Sequence, residues 1–240
     1  MPGDGQSRGA GNVRRLTHRF RYRSPEDDVR SWWETGEDGR ILRQAVFEKD
    51  LPVPRVPDLP AEGEGEGQVG TRGGASVAAS SADLAVVRER FGPLGGRLYE
   101  AVYGVMTDGP PDVSHGAEPV TAERFERAWS TAVRHRHFTR YDSGPLPEGT
   151  RVTGRVSVLP WGPGRTGLFV DMDAIPVPAF VDMVHLPRDP DGWPPVGTEG
   201  AFEVTTIRFD LRPEYTGLQV RLRPAAGPRR GGPSPRPAPP

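Results

Sequence analysis

The chain contains no cysteine, so neither a disulfide framework nor a thiolate metal site can be built. Lysine is almost as scarce: of 31 basic residues, only Lys49 is a lysine. High-GC bacterial coding explains arginine in its place, as it explains the abundance of Ala, Gly and Pro. The competing explanation is selection of arginine for phosphate recognition. No stretch approaches the roughly 18–20 continuous apolar residues of a membrane span. The opening "MPGDGQSRGAGNVRR" has no apolar core of the kind a secretory signal needs. The expectation is a soluble cytoplasmic protein that makes no use of a membrane.

Catalytic and phosphate-cradling motifs are also missing. "GPLGGR" lacks the GK[ST] of a P-loop, and "EGEGEG" alternates glycine with a charge that repels phosphate. No G-x-S-x-G elbow occurs. His135 and His137 in "HRH" sit about 200° apart on a helix, so their rings diverge, and His18, His115 and His185 show no ligand spacing. Asp171 and Asp173 share a strand face and read as solvated charges before they read as a cation site. No catalysis, no cofactor and no metal are therefore expected.

Glycine (31) and proline (28) together make up close to a quarter of the 240 residues, and only 35% are hydrophobic. That balance predicts loops and disordered ends around a smaller folded mass. Residues 1–15 and the tail "AAGPRRGGPSPRPAPP" are the expected disordered ends. The tail's Arg229, Arg230 and Arg236 read either as a nonspecific anionic contact or as plain solvated charges. "THRFRYR" is a short strand candidate, and "SWWETGEDGRILRQAVFE" reads as strand, turn, strand, a β-hairpin module over 16–51. Residues 52–80 read as a flexible linker.

Helical signals follow over 81–142. Ser81 is placed to cap "ADLAVVRERF", with Leu84, Val87 and Phe91 along one face, and "GPLGG" separates this from "RLYEAVYGVM". Thr121 caps "AERFERAWSTAVRHRHF", where Phe125, Ala128, Trp129, Ala132 and Val133 form an amphipathic stripe. From Gly149 the period changes to two. Strands near 150–159, 166–173, 178–184, 200–209 and 217–223 predict a small barrel over 148–224. The fold class is α+β.

Five segments carry a family likeness. "GTRVTGRVSVLP", "GLFVDMD", "VDMVHLP", "PPVGTEGAFEVTTIRFD" and "LQVRLRP" together resemble the S1-type branch of the oligonucleotide-binding (OB) fold. The resemblance implies a noncatalytic protein binding single-stranded RNA or DNA. By position it implies stacking on Trp161 and Phe169, completed by His185, Asp210 and Arg221, with Arg155, Arg165 and Arg221 tracking phosphates. The sequence departs from the pattern in its long "LPWGPGRTGLF" turn, in "IPVPAF" before the third strand, and in "LRPEYTGLQV" between Asp210 and Arg221. Residues 148–226 hold eight arginines against ten carboxylates, a poor balance for tight nucleic-acid binding. Trp161 reads equally as an aromatic plug of the barrel mouth, and His185 as a strand-end histidine.

"SWWETGEDGRILRQAVFE" resembles the hairpin of small bacterial domains found near toxin and immunity loci, which implies a protein partner. Trp32 and Trp33 must face opposite sides of a strand, so one is expected to enter the core and the other either to meet solvent or a partner or to be covered by the linker or the helices. The second expectation is accordingly a protein-interaction or immunity-type module in which the barrel is a scaffold.

Overall fold

The computed structural model describes residues 17–54, 73–108, 116–173, 175–212 and 217–225. The N-terminal part is an antiparallel sheet of β1 (His18–Arg23), β2 (Arg30–Thr35), β3 (Ile41–Glu48), β4 (Gly74–Ser80) and the short β5 (Glu118–Pro119), in the order β4-β3-β2-β1-β5. "GEDGR" makes the expected turn between β2 and β3, with Gly39 at positive φ. Alternation along β2 sends Trp32 and Glu34 to one face and Trp33 and Thr35 to the other.

Two sequence expectations change here. Residues 74–80, read as the end of a linker, form β4, and residues 55–72 lie outside the described residues. The small side chains that mimic a linker serve close packing: Ala75 and Ala78 are buried beneath a helix together with Phe47 and Trp32. The helix cap also moves by one residue, to Ser80, whose side chain accepts a hydrogen bond from Asp83 N at 3.3 Å.

Helix α1 (Ser81–Tyr103) is two helices joined at Gly92, whose φ of 66° and ψ of −164° break the run where "GPLGG" predicts a break. The halves fold back on each other: Arg88 Nη2 reaches Glu100 Oε1 at 2.7 Å, whereas a straight helix would separate these residues by about 18 Å. Helix α2 (Ala122–Phe138) starts at Thr121 as expected. It lays Phe125, Ala128 and Ala132 on Trp32, Ala45 and Phe47. Full burial of each large side chain there contributes about 1.5–3 kcal/mol. At one end of this layer Glu34 accepts from Arg19 and Arg43, each at 2.6 Å, while Arg43 lies over the Phe125 and Trp129 rings.

The second half of the chain closes into a barrel of β6 (Arg151–Val158), β7 (Gly167–Met172), β8 (Ala179–Asp182), β9 (Glu199–Asp210) and β10 (Gly217–Pro224). The strands stand where the period-two reading puts them. The order is β10-β8-β7-β6-β9, with β9 returning to β10, and β8 and β10 run parallel. This connectivity is consistent with an OB-like fold. Gly154 and Gly167 permit close strand approach: a Cβ on Gly154 would lie 2.6 Å from Asp171 O, and one on Gly167 would lie 2.1 Å from Val181 O.

The barrel's plug arrives from upstream. Leu98 and Val102 of α1, with Tyr141 and Leu146, join Val156, Leu168, Val204 and Leu222 in one core. Tyr99 and Tyr103 pack on Phe209 of β9. Arg136 of α2, 8% exposed, donates from Nε to Val102 O at 2.7 Å and from Nη2 to Ala101 O at 3.1 Å, closing the end of α1. Among the described residues, no helix is long and apolar enough to cross a membrane.

Arg136→Leu is expected to destabilise the protein by about 2–4 kcal/mol, because two helix-terminal carbonyls lose their charged donor; a lowered urea midpoint at unchanged slope is the measurement. Burial alone would raise the pKa of Glu34, but hydrogen bonds and charge from Arg43 and Arg19 outweigh it and hold the carboxyl below its ordinary value. Its contribution is therefore complete above the unfolded carboxyl pKa of about 4.3 and is lost as pH falls through the lower folded value. Urea midpoints measured down an acid series should fall less steeply for Glu34→Gln than for the parent protein.

Candidate nucleic-acid interface

The outward side chains of the barrel strands follow from the inward ones. Leu168 and Val170 of β7, Ala179 and Val181 of β8, and Val220 and Leu222 of β10 fill the interior, so Phe169, Phe180 and Arg221 between them point away from it, with Phe180 itself covered at 8% exposure. Register sets them in a row across three strands: Phe169 pairs with Phe180, and Phe180 with Arg221. The two rings meet edge to face at 5.1 Å, and the Arg221 guanidinium lies 4.6 Å above the Phe180 ring. Such contacts contribute about 0.5–1.5 kcal/mol each. Val158, opposite Phe169 on β6, extends the row.

Gly167 makes the row possible. Its φ of 145° and the Phe180 ring beside it leave no room for a side chain, since a Cβ would lie 2.6 Å from Phe180 Cζ. Trp161 stands in the β6–β7 turn at 69% exposure, so it is not an aromatic plug. The turn leans on the short helical turn at Met183–His185, where Met183 N donates to Thr166 O at 3.1 Å. Val158, Trp161, Met183, Val184 and Val196 are exposed in the loops and strand end around this rim.

The other site residues named from sequence scatter around the face. Arg165 is exposed in the same turn as Trp161, and His185 is exposed in the helical turn. Arg155 is committed to Glu199 across β6 and β9. Asp210, at the end of β9, pairs with Arg212, whose hydrogen bonds hold its carboxyl down at about 2. The structure thus brings Phe169 and Arg221 together, sets Trp161 and Arg165 at one end, and leaves Arg155 and Asp210 neutralised. Sequence reasoning places the strand but misses Phe180 as a member of the row; the signal is the alternation of "PAFVD".

Trp32 and Trp33 do face opposite sides of the sheet, but neither is exposed, at 2% and 9%. Trp32 lies under α2, and Trp33 stacks on Tyr22 at 6.5 Å. Of the two readings the covered one holds, because both faces of β2 are covered. His135 is buried edge-on to Phe47, whereas His137 is exposed. Asp173 accepts from Thr153 Oγ1 at 2.7 Å. Among the described residues, no three His, Asp or Glu side chains group to hold a metal ion. His115 and the tail arginines Arg229, Arg230 and Arg236 lie outside the described residues.

No protein-family model matches the chain, and no curated protein matches it.

Gly167→Ala is expected to cost about 2–4 kcal/mol, combining strained φ with overpacking against Phe180 and the Val181 carbonyl. Thermal unfolding of the purified variant, followed by circular dichroism, measures the loss as a fall of several degrees.

Proposed function

We propose that this is a noncatalytic binding protein whose S1/OB-like barrel takes single-stranded RNA or DNA weakly on the outer face of β7, β8 and β10. The observation that carries the reading is the row Phe169–Phe180–Arg221, with Trp161 exposed at its end. Base-to-aromatic stacking contributes about 1–3 kcal/mol per base and tolerates any sequence. A guanidinium held flat on a ring offers a further planar surface for a base. Weak binding follows from charge: over 148–226 the carboxylates outnumber the arginines by two, so phosphate neutralisation adds little.

The exposed apolar rim of Val158, Trp161, Met183, Val184 and Val196 supports a second reading, a protein-interaction or immunity-type module. In that reading the partner contacts the barrel's loops. The buried Trp32 and Trp33 take no part in it.

Fluorescence separates the two. Trp32, Trp33 and Trp193 are buried and the half-buried Trp129 lies beneath Arg43 on α2, so quenching by a short oligouridine should come from Trp161 and vanish in Trp161→Phe. Phe169→Ala is expected to raise the dissociation constant about 5- to 150-fold, the equivalent of one lost stacking partner. Absence of binding to oligouridine or oligothymidine at micromolar protein in low salt would overturn the nucleic-acid reading.

A further inference from the structure

The antiparallel pair β9–β10 carries a second feature beside the aromatic row. Register sets Thr206 opposite Arg221 and Arg208 opposite Gln219, and buried Val220 and Leu222 turn Gln219 and Arg221 outward. Four neighbouring side chains on one face are thus all hydrogen-bond donors: two guanidiniums, a carboxamide and a hydroxyl. Directly opposed residues have Cβ atoms about 4.5–5.5 Å apart, and diagonal ones about 7–8 Å.

These donors are almost entirely uncommitted. Among the described residues, Thr206, Arg208 and Gln219 make no side-chain hydrogen bond or ion pair. Arg221 has one acidic neighbour, Asp182, at a long 3.9 Å, and its buried Nε has no acceptor. Burial and the charge of Arg208 both act against the Arg221 cation, with Asp182 opposing them. Three other barrel arginines are matched with carboxylates: Arg155 with Glu199, Arg212 with Asp210, and Arg223 with Glu203.

We propose that Thr206, Arg208, Gln219 and Arg221 form a phosphate-binding subsite on the outer face of β9–β10. Two cations and one carboxylate leave one net positive charge, which matches a single phosphodiester. A phosphate seated between the guanidiniums removes their repulsion and gives the Arg221 fork an acceptor. Phe180, beneath Arg221, holds the fork in place and joins the subsite to the aromatic row. The subsite deepens the nucleic-acid reading and rests on it only for the source of the phosphate, since a free phosphate presents the same chemistry.

The test follows the Arg221 Nε–H resonance by proton–nitrogen NMR in the full chain, with inorganic phosphate and oligouridine as separate titrants and sodium chloride as the ionic-strength control. Phosphate should move the resonance saturably, and Arg208→Gln should weaken that response at least about fivefold. Arg208 is exposed and unpaired, so this variant keeps the fold; Arg221→Lys, retaining charge without the fork, should weaken it as well. Competition between oligouridine and phosphate identifies the subsite as a nucleic-acid backbone contact. Saturation by phosphate without any response to oligouridine keeps the subsite and removes the nucleic-acid reading. Tryptophan quenching by oligouridine with an unmoved Arg221 resonance and an unaffected Arg208→Gln overturns the subsite and spares that reading.

Discussion

Arg136 leaves α2 and enters the carbonyl end of α1, where Val102 O and Ala101 O accept its guanidinium. Burying a guanidinium costs several kcal/mol, and burial pulls its pKa below the ordinary arginine value. The cost is offset because the acceptors sit at the negative end of a helix dipole, in a last turn that carries no basic residue of its own. The consequence reaches both halves of the molecule. α2 is fixed to the sheet through Phe125, Ala128 and Ala132, while Val102 and Leu98 of α1 complete the barrel core. The placement of the barrel's plug therefore depends on a residue whose own position is set by the sheet.

That arrangement explains the form of the barrel's long connection. With its interior filled by α1 and by Tyr141 and Leu146 from upstream, the segment between β8 and β9 adds only the partly buried Leu186 to that core. Its described structure is two short helical turns and proline-rich loops, tied down by Trp193, whose Nε1 donates to Pro187 O at 2.8 Å. Val184 and Val196 in this segment stay exposed. A loop relieved of packing is free to carry surface chemistry, and here it borders the Phe169–Phe180–Arg221 row.

Much of this fold is legible in sequence for physical reasons that differ by element. The barrel strands show because one face is buried and the other wet, which writes a period of two into Leu168, Val170 and Met172, and into Leu218, Val220 and Leu222. α2 shows because a single apolar stripe meets the sheet. β4 does not, since "GASVAAS" is built from small residues that let a helix approach, and the same composition marks a linker. Trp33 stays open for a related reason: strand geometry fixes which face a side chain takes, but not what covers that face. The candidate site was half legible. Phe169 and Arg221 stand in alternating runs, yet the neighbourhood of Thr206, Arg208 and Gln219 depends on the pairing of β9 with β10, and on a register shift beside Arg221 that no spacing records.

Net charge is a poor guide to the barrel's ligand because pairing removes charges in twos. Arg155, Arg212 and Arg223 each lie against a carboxylate, and Glu148 is held by Arg140. Exposed pairs of this kind add little to stability, but they cancel most of the field that a ligand would meet. Two of the cations left outward border the aromatic row at one side, Arg208 with Arg221, and Arg165 stands beside Trp161 in the turn at its end. A ligand on this face meets few uncancelled charges and several flat surfaces. Its affinity would then come from stacking and shape, with only a shallow dependence on salt, the opposite of a protein that holds nucleic acid by a basic groove.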